Sequence, residues 1–155
     1  MKAMCVIGIT VILSMISAIG CDRVQDNVSP RLPFTTPSDA VIIDDSTNAW
    51  DSDEFVLQQA VITNDSLDVT VSYSGGCQDH IFNLVSSGMF LESDPVQMPL
   101  VLIHNANNDR CEAWITEDHS FDLTPIKELY QDAYHQSTGI INILLKDAGA
   151  LTYQF

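Results

Sequence analysis

The chain has 155 residues, of which 21 are acidic and six are basic, so its formal net charge at pH 7 is −15. This charge argues against nucleic-acid partners, because phosphate binding depends on clustered lysine and arginine side chains. It also opposes adhesion of the folded part to anionic lipid head groups. The length allows one domain with flanking segments.

The first twenty residues have the layout of an export signal. Lys2 supplies a short positive region, and residues 3–19 form an apolar stretch without a charged side chain. The stretch starts almost at the first residue and ends in small residues before Cys21, which are signal-peptide proportions. The alternatives are cleavage by the ordinary signal peptidase and an uncleaved anchor, although a membrane-spanning helix needs about twenty apolar residues.

The signal ends in the run Ser17-Ala18-Ile19-Gly20-Cys21. This run resembles the lipobox of bacterial lipoproteins, although Ala18 stands where the lipobox favours a larger aliphatic residue. The resemblance implies that residues 1–20 are removed as a lipoprotein signal peptide and that Cys21 carries lipid, palmitate included. Two or more acyl chains hold a protein stably at a membrane.

Lipidation of this kind predicts a protein at the bacterial cell envelope, with the membrane as its first partner through the N-terminal lipid. The folded part would face the periplasm or the exterior. Asp22 follows the lipidated cysteine, and an aspartate there favours the inner membrane in enterobacterial lipoproteins.

The four cysteines of the chain divide by compartment. Cys5 leaves with the signal and Cys21 takes the lipid, so Cys77 and Cys111 remain. Two remaining thiols in an oxidising compartment most simply form a disulfide bond. It would close a loop of about 35 residues and contribute about 4 kcal/mol in the chain-entropy account.

The composition changes near residue 50. Residues 21–50 are rich in Asp, Ser, Thr, Asn and Pro and predict a flexible acidic tether, interrupted by an apolar run at 40–43 that could form an edge strand. Prolines give such a tether a reach between that of a coil and that of a rod. Residues 51–155 predict a single β-rich globular domain.

Period-two alternation predicts the strands of this domain. The clearest hairpin joins residues 55–63 to 67–73 through the turn residues Asn64-Asp65. Further strands are predicted at 80–86, 89–91, 100–104, 113–116, 140–145 and 151–155.

One helix is predicted from Thr124, with Pro125 in its first turn and Gly139 beyond its end. Its apolar face comprises Ile126, Leu129, Tyr130 and Ala133. The fold class is therefore mainly β, an antiparallel β-sandwich with one α-helix near the C-terminus. The alternative is an α+β fold with the helix packed on one antiparallel sheet.

Two cysteine and histidine pairs form the most unusual feature of the sequence. Cys77 precedes His80 by three residues, and His104 precedes Cys111 by seven. Two thiolates and two imidazoles suit tetrahedral zinc, but oxidised sulfurs cannot bind it as thiolates. The disulfide is the favoured interpretation, and a metal site using His80 and His104, with or without the cysteines, stays open beside it.

Asp109 is a further candidate ligand. Asn105-x-Asn107-x-Asp109 follows the first half of a calcium loop, but Arg110 and Thr116 stand where an EF-hand needs Gly and Glu. Asn and Asp at this spacing are equally typical of a turn. Calcium therefore stays an alternative to zinc, and the absence of any cofactor is the leading expectation.

No catalytic residue is assigned from the sequence. Cys77 beside His80 could act as a nucleophile, but no third group is evident to orient the histidine. Of the remaining aromatic residues, Trp114, Phe121 and Tyr153 are predicted to lie in the core. His119 and His135 are isolated in the sequence and are predicted to be exposed to solvent.

Three motifs occur together: Gly75-Gly76-Cys77-x2-His80-x-Phe82, His104-Asn105-Ala106-Asn107-x-Asp109-x-Cys111-Glu112-Ala113, and Phe121-Asp122-Leu123-Thr124-Pro125-Ile126. In this combination, residues 55–155 resemble a set of uncharacterised bacterial lipoproteins in which the cysteines and first histidines recur in the same order. The resemblance implies that the Cys/His cluster forms one spatial feature. It implies no activity or ligand.

These observations predict a lipid-anchored extracytoplasmic module that binds a protein or a small ligand. A metal-binding lipoprotein is the first alternative, and an enzyme using Cys77 or a histidine is the second.

Overall fold

The structure of the protein is a computed structural model that describes residues 38–44 and 50–155. The predicted signal at residues 1–20, the lipidation site Cys21 and the neighbouring Asp22 lie outside the described residues. The boundaries predicted for signal, tether and domain therefore stay predictions.

Eight strands and one helix make up the described residues. In chain order they are β1 (Ile42–Ile43), β2 (Val56–Thr63), β3 (Ser66–Gly75), β4 (Ile81–Ser86), β5 (Val96–Asn105), β6 (Ala113–Asp122), α1 (Thr124–Tyr134), β7 (Ile140–Leu145) and β8 (Gly149–Gln154). No helix among them has the length and apolar character to span a bilayer.

The strands form two sheets. One has three strands in the order β2-β3-β6, and the other has five in the order β1-β4-β5-β7-β8. The predicted fold class, mainly β with two packed sheets and a single helix, is confirmed. The larger sheet is mixed rather than antiparallel, because β1 pairs with β4 and β5 pairs with β7 in parallel.

Alternation along β3 builds one wall of the core. Leu67, Val69, Val71 and Tyr73 are all buried, as the sequence predicts for a strand with one face inward. The larger sheet contributes the opposite wall, which includes Leu84, Met98, Leu100, Ile141, Ile143 and Leu145. Phe121 and Tyr153 are core residues as predicted.

Trp114 does not lie in the core as predicted, because 64% of its surface is exposed. It pairs with Ser74 on β3, whose side chain also faces outward. The inward positions of this part of β6 are those of Ile115 and Phe121, which have the opposite parity. The sequence therefore predicts a strand at this position but places the side chain of Trp114 on the wrong face.

The N-terminal segment at residues 38–44 bridges the two sheets. Ala40 lies beside Asp122 at the end of β6, and β1 pairs with β4. Val41 is buried in the core between them. The edge strand predicted at 40–43 is thus present, inside the range predicted as tether.

The helix begins and ends close to its predicted limits. Pro125 lies in the first turn, where its missing N–H needs no partner. The N-cap residue is Leu123, which makes no side-chain capping bond, and the side chain of Asp122 accepts the backbone N–H of Thr124 at 2.8 Å. The helix ends at His135, an exposed residue in the left-handed conformation, whose N–H is bonded to Gln131 O.

Asp65, in the turn between β2 and β3, ties the hairpin to the helix and to the last strand. Its carboxylate accepts the Tyr153 hydroxyl at 2.7 Å and also binds the Lys127 ammonium. The hydrogen bond from Lys127 and then that from Tyr153 lower the pKa of Asp65. Burial raises the pKa of Tyr153, as does its bond to the carboxylate.

Tyr153→Phe is expected to lower the free energy of unfolding by about 1.5 kcal/mol, because a buried hydroxyl donates to an ionised acceptor. Equilibrium urea unfolding checks this value. Tyr134→Phe is the matched control, since the Tyr134 hydroxyl meets Glu92 on the exposed surface at 3.2 Å. Equal losses in the two variants would contradict a special role for the Asp65 contact.

Candidate functional site

The ends of β3 and β6 are joined by a disulfide bond. Cys77 follows β3 and Cys111 precedes β6, and their Cα atoms lie 5.9 Å apart. The ladder between these strands ends at the pair Gly75 and Ala113, so the bond closes the sheet directly beyond its last pair. The predicted Cys77–Cys111 disulfide is present.

Asp109 holds the same two loops together through hydrogen bonds. Its Oδ2 accepts the backbone N–H groups of Cys77 at 2.8 Å and Gln78 at 3.0 Å, and its Oδ1 accepts that of Cys111 at 2.8 Å. Only 1% of its side chain is exposed. The bonds from Cys111 and Cys77, followed by those from Gln78 and His80, hold the pKa of Asp109 well below its ordinary value.

His80 and His104 converge beside this carboxylate. Nδ1 of His80 lies 2.8 Å from Nε2 of His104, and Nε2 of His80 lies 3.3 Å from Oδ2 of Asp109. Nδ1 of His104 lies 3.1 Å from the carbonyl oxygen of Glu54. The four groups form a continuous hydrogen-bonded series from the Glu54 carbonyl to the Asp109 carboxylate. Asp109 and its bonds to the two loops are called the clamp below.

The donors and acceptors of this series assign its protons. The Glu54 carbonyl can only accept, so His104 carries a proton on Nδ1. Burial, and next the neighbouring His80, lower the pKa of His104, so its Nε2 is left to accept. His80 then donates from Nδ1 to His104, and its Nε2 faces Oδ2 of the Asp109 carboxylate at 3.3 Å.

Aromatic rings enclose the two imidazoles. Tyr73 stacks on His80 with ring centroids 4.3 Å apart, and Phe82 stacks on His104 at 4.3 Å with an interplanar angle of 5°. The rings also exclude water, which explains why both histidines are nearly inaccessible.

The two glycines before Cys77 are needed for different reasons. A Cβ on Gly75 would lie 2.6 Å from Nε2 of His80, so only glycine lets the ring pack on this backbone. Gly76 has a φ of 111°, a conformation that side chains disfavour. The Gly75-Gly76 pair therefore positions both the histidine and the disulfide loop.

The loop from Asn105 to Asp109 is a turn, as one of the two sequence interpretations has it. Asn107 and Asn108 have positive φ, and Oδ1 of Asn105 accepts the N–H of Asn107 at 2.9 Å. Both carboxylate oxygens of Asp109 are occupied by backbone N–H groups. The calcium site stays a prediction that this geometry does not favour.

The zinc site also stays a prediction. Cys77, Asp109 and Cys111 lie close enough to share an ion, but both sulfurs belong to the disulfide. His80 and His104 face each other at hydrogen-bond distance and use their remaining nitrogens on Asp109 and Glu54. A metal would have to replace these bonds.

A second polar group lies on the inward face of β6. Glu117 and His119 point to the same side as Phe121, because they pair with the inward residues Val71 and Val69 of β3. Burial, then a hydrogen bond to Glu117, raises the pKa of Tyr73 to about 12. This contact connects β6 to the stacked histidines.

His119 is half-buried rather than exposed as predicted, with 26% of its side chain accessible. Its ring packs against Phe82 at 4.7 Å, and its Nε2 has no hydrogen bond among the described residues. Burial lowers the pKa of His119, so the ring is neutral at pH 7.

An open cleft of about 760 Å³ lies between β6 and the start of β4. Its floor includes Phe82, His119 and Phe121, and His80 reaches it from the clamp. Its rim is acidic and includes Asp39, Asp65, Asp118 and Asp122. The described residues that line it include no lysine or arginine.

Sequence reasoning found Cys77, His80, His104, Asp109 and Cys111 but missed Tyr73, Glu117 and His119 as parts of a site. The predicted strand at 113–116 ended too early, whereas β6 extends to Asp122. Alternation continued from Ile115 to Phe121 would have placed Glu117 and His119 on the inward face.

No protein-family model and no curated protein matches the sequence. Among solved structures, the chain is similar to a NigD-like immunity protein from Bacteroides caccae, with 15% identity and a TM-score of 0.56, over 76% of this chain and 59% of that one. The chain thus spans about three-fifths of that protein. It is also similar to a candidate lipoprotein from Bacteroides fragilis, with 9% identity and a TM-score of 0.47, over 77% and 68% of the two chains. At such identities the comparison with the immunity protein shows the fold alone.

Asp109→Asn tests the clamp. The pKa of Asp109 is lower in the folded protein than its ordinary 3.8, so the ionised carboxylate stabilises the fold above about pH 4 and this contribution is lost as the pH falls further. The variant is expected to unfold at lower urea concentration than the parent at about pH 7, and the difference between the two midpoints should shrink steadily as the pH falls below about 4.

Asp132→Asn, on the exposed side of α1, is the matched control and should leave the parent's urea midpoint almost unchanged at every pH. A constant difference between Asp109→Asn and the parent across the acid range would mean that the lost charge is not the cause.

Proposed function

We propose that the protein is a lipid-anchored module of the bacterial cell envelope that binds a partner in the cleft between β6 and β4. Cys21 carries the lipid, residues 21–50 include the tether, and the folded domain faces the periplasm or the exterior. Asp22 favours the inner membrane as the site of retention. The observation that carries the proposal is the open acidic cleft beside a rigid cluster, which we call the immobilised wall.

The immobilised wall is the disulfide with the Asp109 clamp and the two histidines. Each reactive group in it is already engaged: the sulfurs with each other, the carboxylate with three N–H groups, and the histidine nitrogens with their neighbours. A nucleophile or a general base needs a group that can reach substrate. The cluster is therefore suited to holding the cleft in shape, which favours binding over catalysis.

An oxidised disulfide also fits the proposed compartment, because such bonds persist in oxidising surroundings. The net charge of the chain keeps the domain away from anionic lipid surfaces while the tether gives it reach. A rigid receptor on a flexible anchor suits capture of a partner near the membrane.

Lipidation is tested by Cys21→Ser. Incorporation of labelled palmitate is expected in the parent and is expected to be lost in the variant, because the acceptor thiol is gone. Cys5→Ser is the matched control, since Cys5 lies within the predicted signal and should not affect labelling. Palmitate on Cys21→Ser would overturn the assignment. The label is a better readout than membrane fractionation, because an unprocessed signal could hold the variant at the membrane.

Partner binding is tested by site-specific photo-cross-linking in intact cells. A photoreactive residue in place of Asp118, on the rim of the cleft, is expected to give a discrete cross-linked product. The same residue in place of Asp132, on the exposed side of α1, should give none. Ser120, which also lines the cleft, is a second position for the probe. Equal products at Asp118 and Asp132, or the absence of a product at both Asp118 and Ser120, would contradict the proposed binding surface.

A further inference from the structure

The strand β6 lies at the edge of the three-stranded sheet. Its last residue shows which way its backbone groups point, since the N–H of Asp122 donates to Asp39 O at 2.7 Å and its carbonyl accepts the N–H of Val41 at 3.0 Å. Both groups therefore face away from β3. The bridge between Ala40 and Asp122 is parallel, so a strand already adds to this edge at one end.

Backbone groups alternate in direction along a strand, so residues two apart share the direction of Asp122. The outward N–H and C=O groups are consequently those of Ser120, Asp118, Thr116 and Trp114. Beyond the bridge to Ala40, no strand among residues 38–44 and 50–155 pairs with this edge. The outward N–H and C=O groups of four residues are thus available to an extended segment.

The preceding part of the chain is poorly suited to fill the edge in the same register. Continuing the parallel ladder from Asp39 would bring residue 37 to the carbonyl of Asp118 and residue 33 to that of Trp114. Both are prolines, Pro37 and Pro33, which have no N–H to donate. A segment from another molecule meets no such obstacle.

Charge and shape indicate the chemistry of that segment. Asp39, Asp118 and Asp122 line the edge, and they would repel a second copy of this acidic chain. Side chains of an added strand that face the core would enter the cleft above Phe82 and His119. Those that face outward would lie beside the carboxylates of β6. The complementary sequence alternates apolar residues with lysine or arginine.

We infer that the free edge of β6 binds an extended basic segment of a partner protein by strand addition, with its apolar side chains in the cleft and its cations against the acidic rim. This inference rests on the proposed function and specifies the partner of the same site. Main-chain hydrogen bonds supply the affinity in this mode of recognition, and alternate side chains supply the specificity.

The test uses a synthetic peptide of alternating lysine and valine, acetylated and amidated, and the folded domain with its disulfide intact. Binding is followed by NMR together with amide hydrogen exchange. The N–H groups of Thr116, Asp118 and Ser120 are expected to become protected from exchange. A peptide of alternating glutamate and valine should bind at least tenfold more weakly, because its charges meet the acidic rim.

Thr116→Pro removes one outward N–H and keeps the backbone bonds to β3, since proline is tolerated at edge positions whose N–H faces solvent. It also removes the contact of the Thr116 hydroxyl with the Ser72 hydroxyl at 2.8 Å. The variant is expected to weaken binding of the lysine peptide at least tenfold. Thr152→Pro is the matched control, because the N–H of Thr152 points away from β7 and β8 is an edge strand of the other sheet. It should change the affinity less than twofold.

Equal binding of the two peptides, unchanged affinity in Thr116→Pro, or protection on β8 instead of β6 would overturn strand addition. If any of these results is found while Asp118 still cross-links to a partner in cells, the proposed binding module is retained and only the basic strand is rejected. If Asp118 and Ser120 also give no cross-linked product, the proposed function is rejected as well.

Discussion

The carboxylate of Asp109 is the contact on which the rest of the site depends. Three backbone N–H groups from two loops converge on its two oxygens, and the disulfide ties the same loops covalently. A buried carboxylate without donors would be expensive, whereas one with several charge-assisted bonds is stabilised in its ionised form. The two devices are complementary, because the disulfide limits how far the loops can separate and the carboxylate sets their orientation.

The histidine pair follows from this clamp. With Asp109 held in place by the loop N–H groups, His80 lies between its carboxylate on one side and His104 on the other. Gly75 provides the space for the ring, and Tyr73 covers it. A buried polar network of this kind is stable only when its members are satisfied, and here each ring nitrogen of the pair has a partner. The motif that resembles a zinc ligand set forms a hydrogen-bonded column that joins the start of β4, the end of β5 and the loops after β3 and before β6.

The hydrogen-bonded column and the neighbouring β6 differ in whether their polar groups have partners. On one side, polar groups are paired and shielded. On the other, within residues 38–44 and 50–155, Nε2 of His119 has no hydrogen bond, the outward backbone groups of β6 before Asp122 have no strand partner, and carboxylates line the rim. Exposed edges are usually blunted by charge. Here the acidic side chains would discourage pairing between copies of this chain while leaving the edge open to a segment of opposite charge.

Local patterns in the sequence determined the β2–β3 hairpin, the helix from Thr124 and the Cys77–Cys111 pair. Each depends on neighbouring residues or on compartment chemistry: alternation for the strands, a proline in the first turn for the helix, and leftover thiols for the disulfide. The sequence also determined that His80 and His104 stand near the cysteines along the chain.

Only the tertiary structure decided that these histidines bond to each other and to Asp109, that Glu117 meets Tyr73, and that Trp114 faces solvent. Strand register between residues distant in sequence settles these points, and a shift of one residue would reverse the face of every side chain. The parallel pairing of β5 with β7 and the bridging role of residues 40–43 have the same origin. They depend on contacts between sheets, and local periodicity carries no record of which strand will lie beside which.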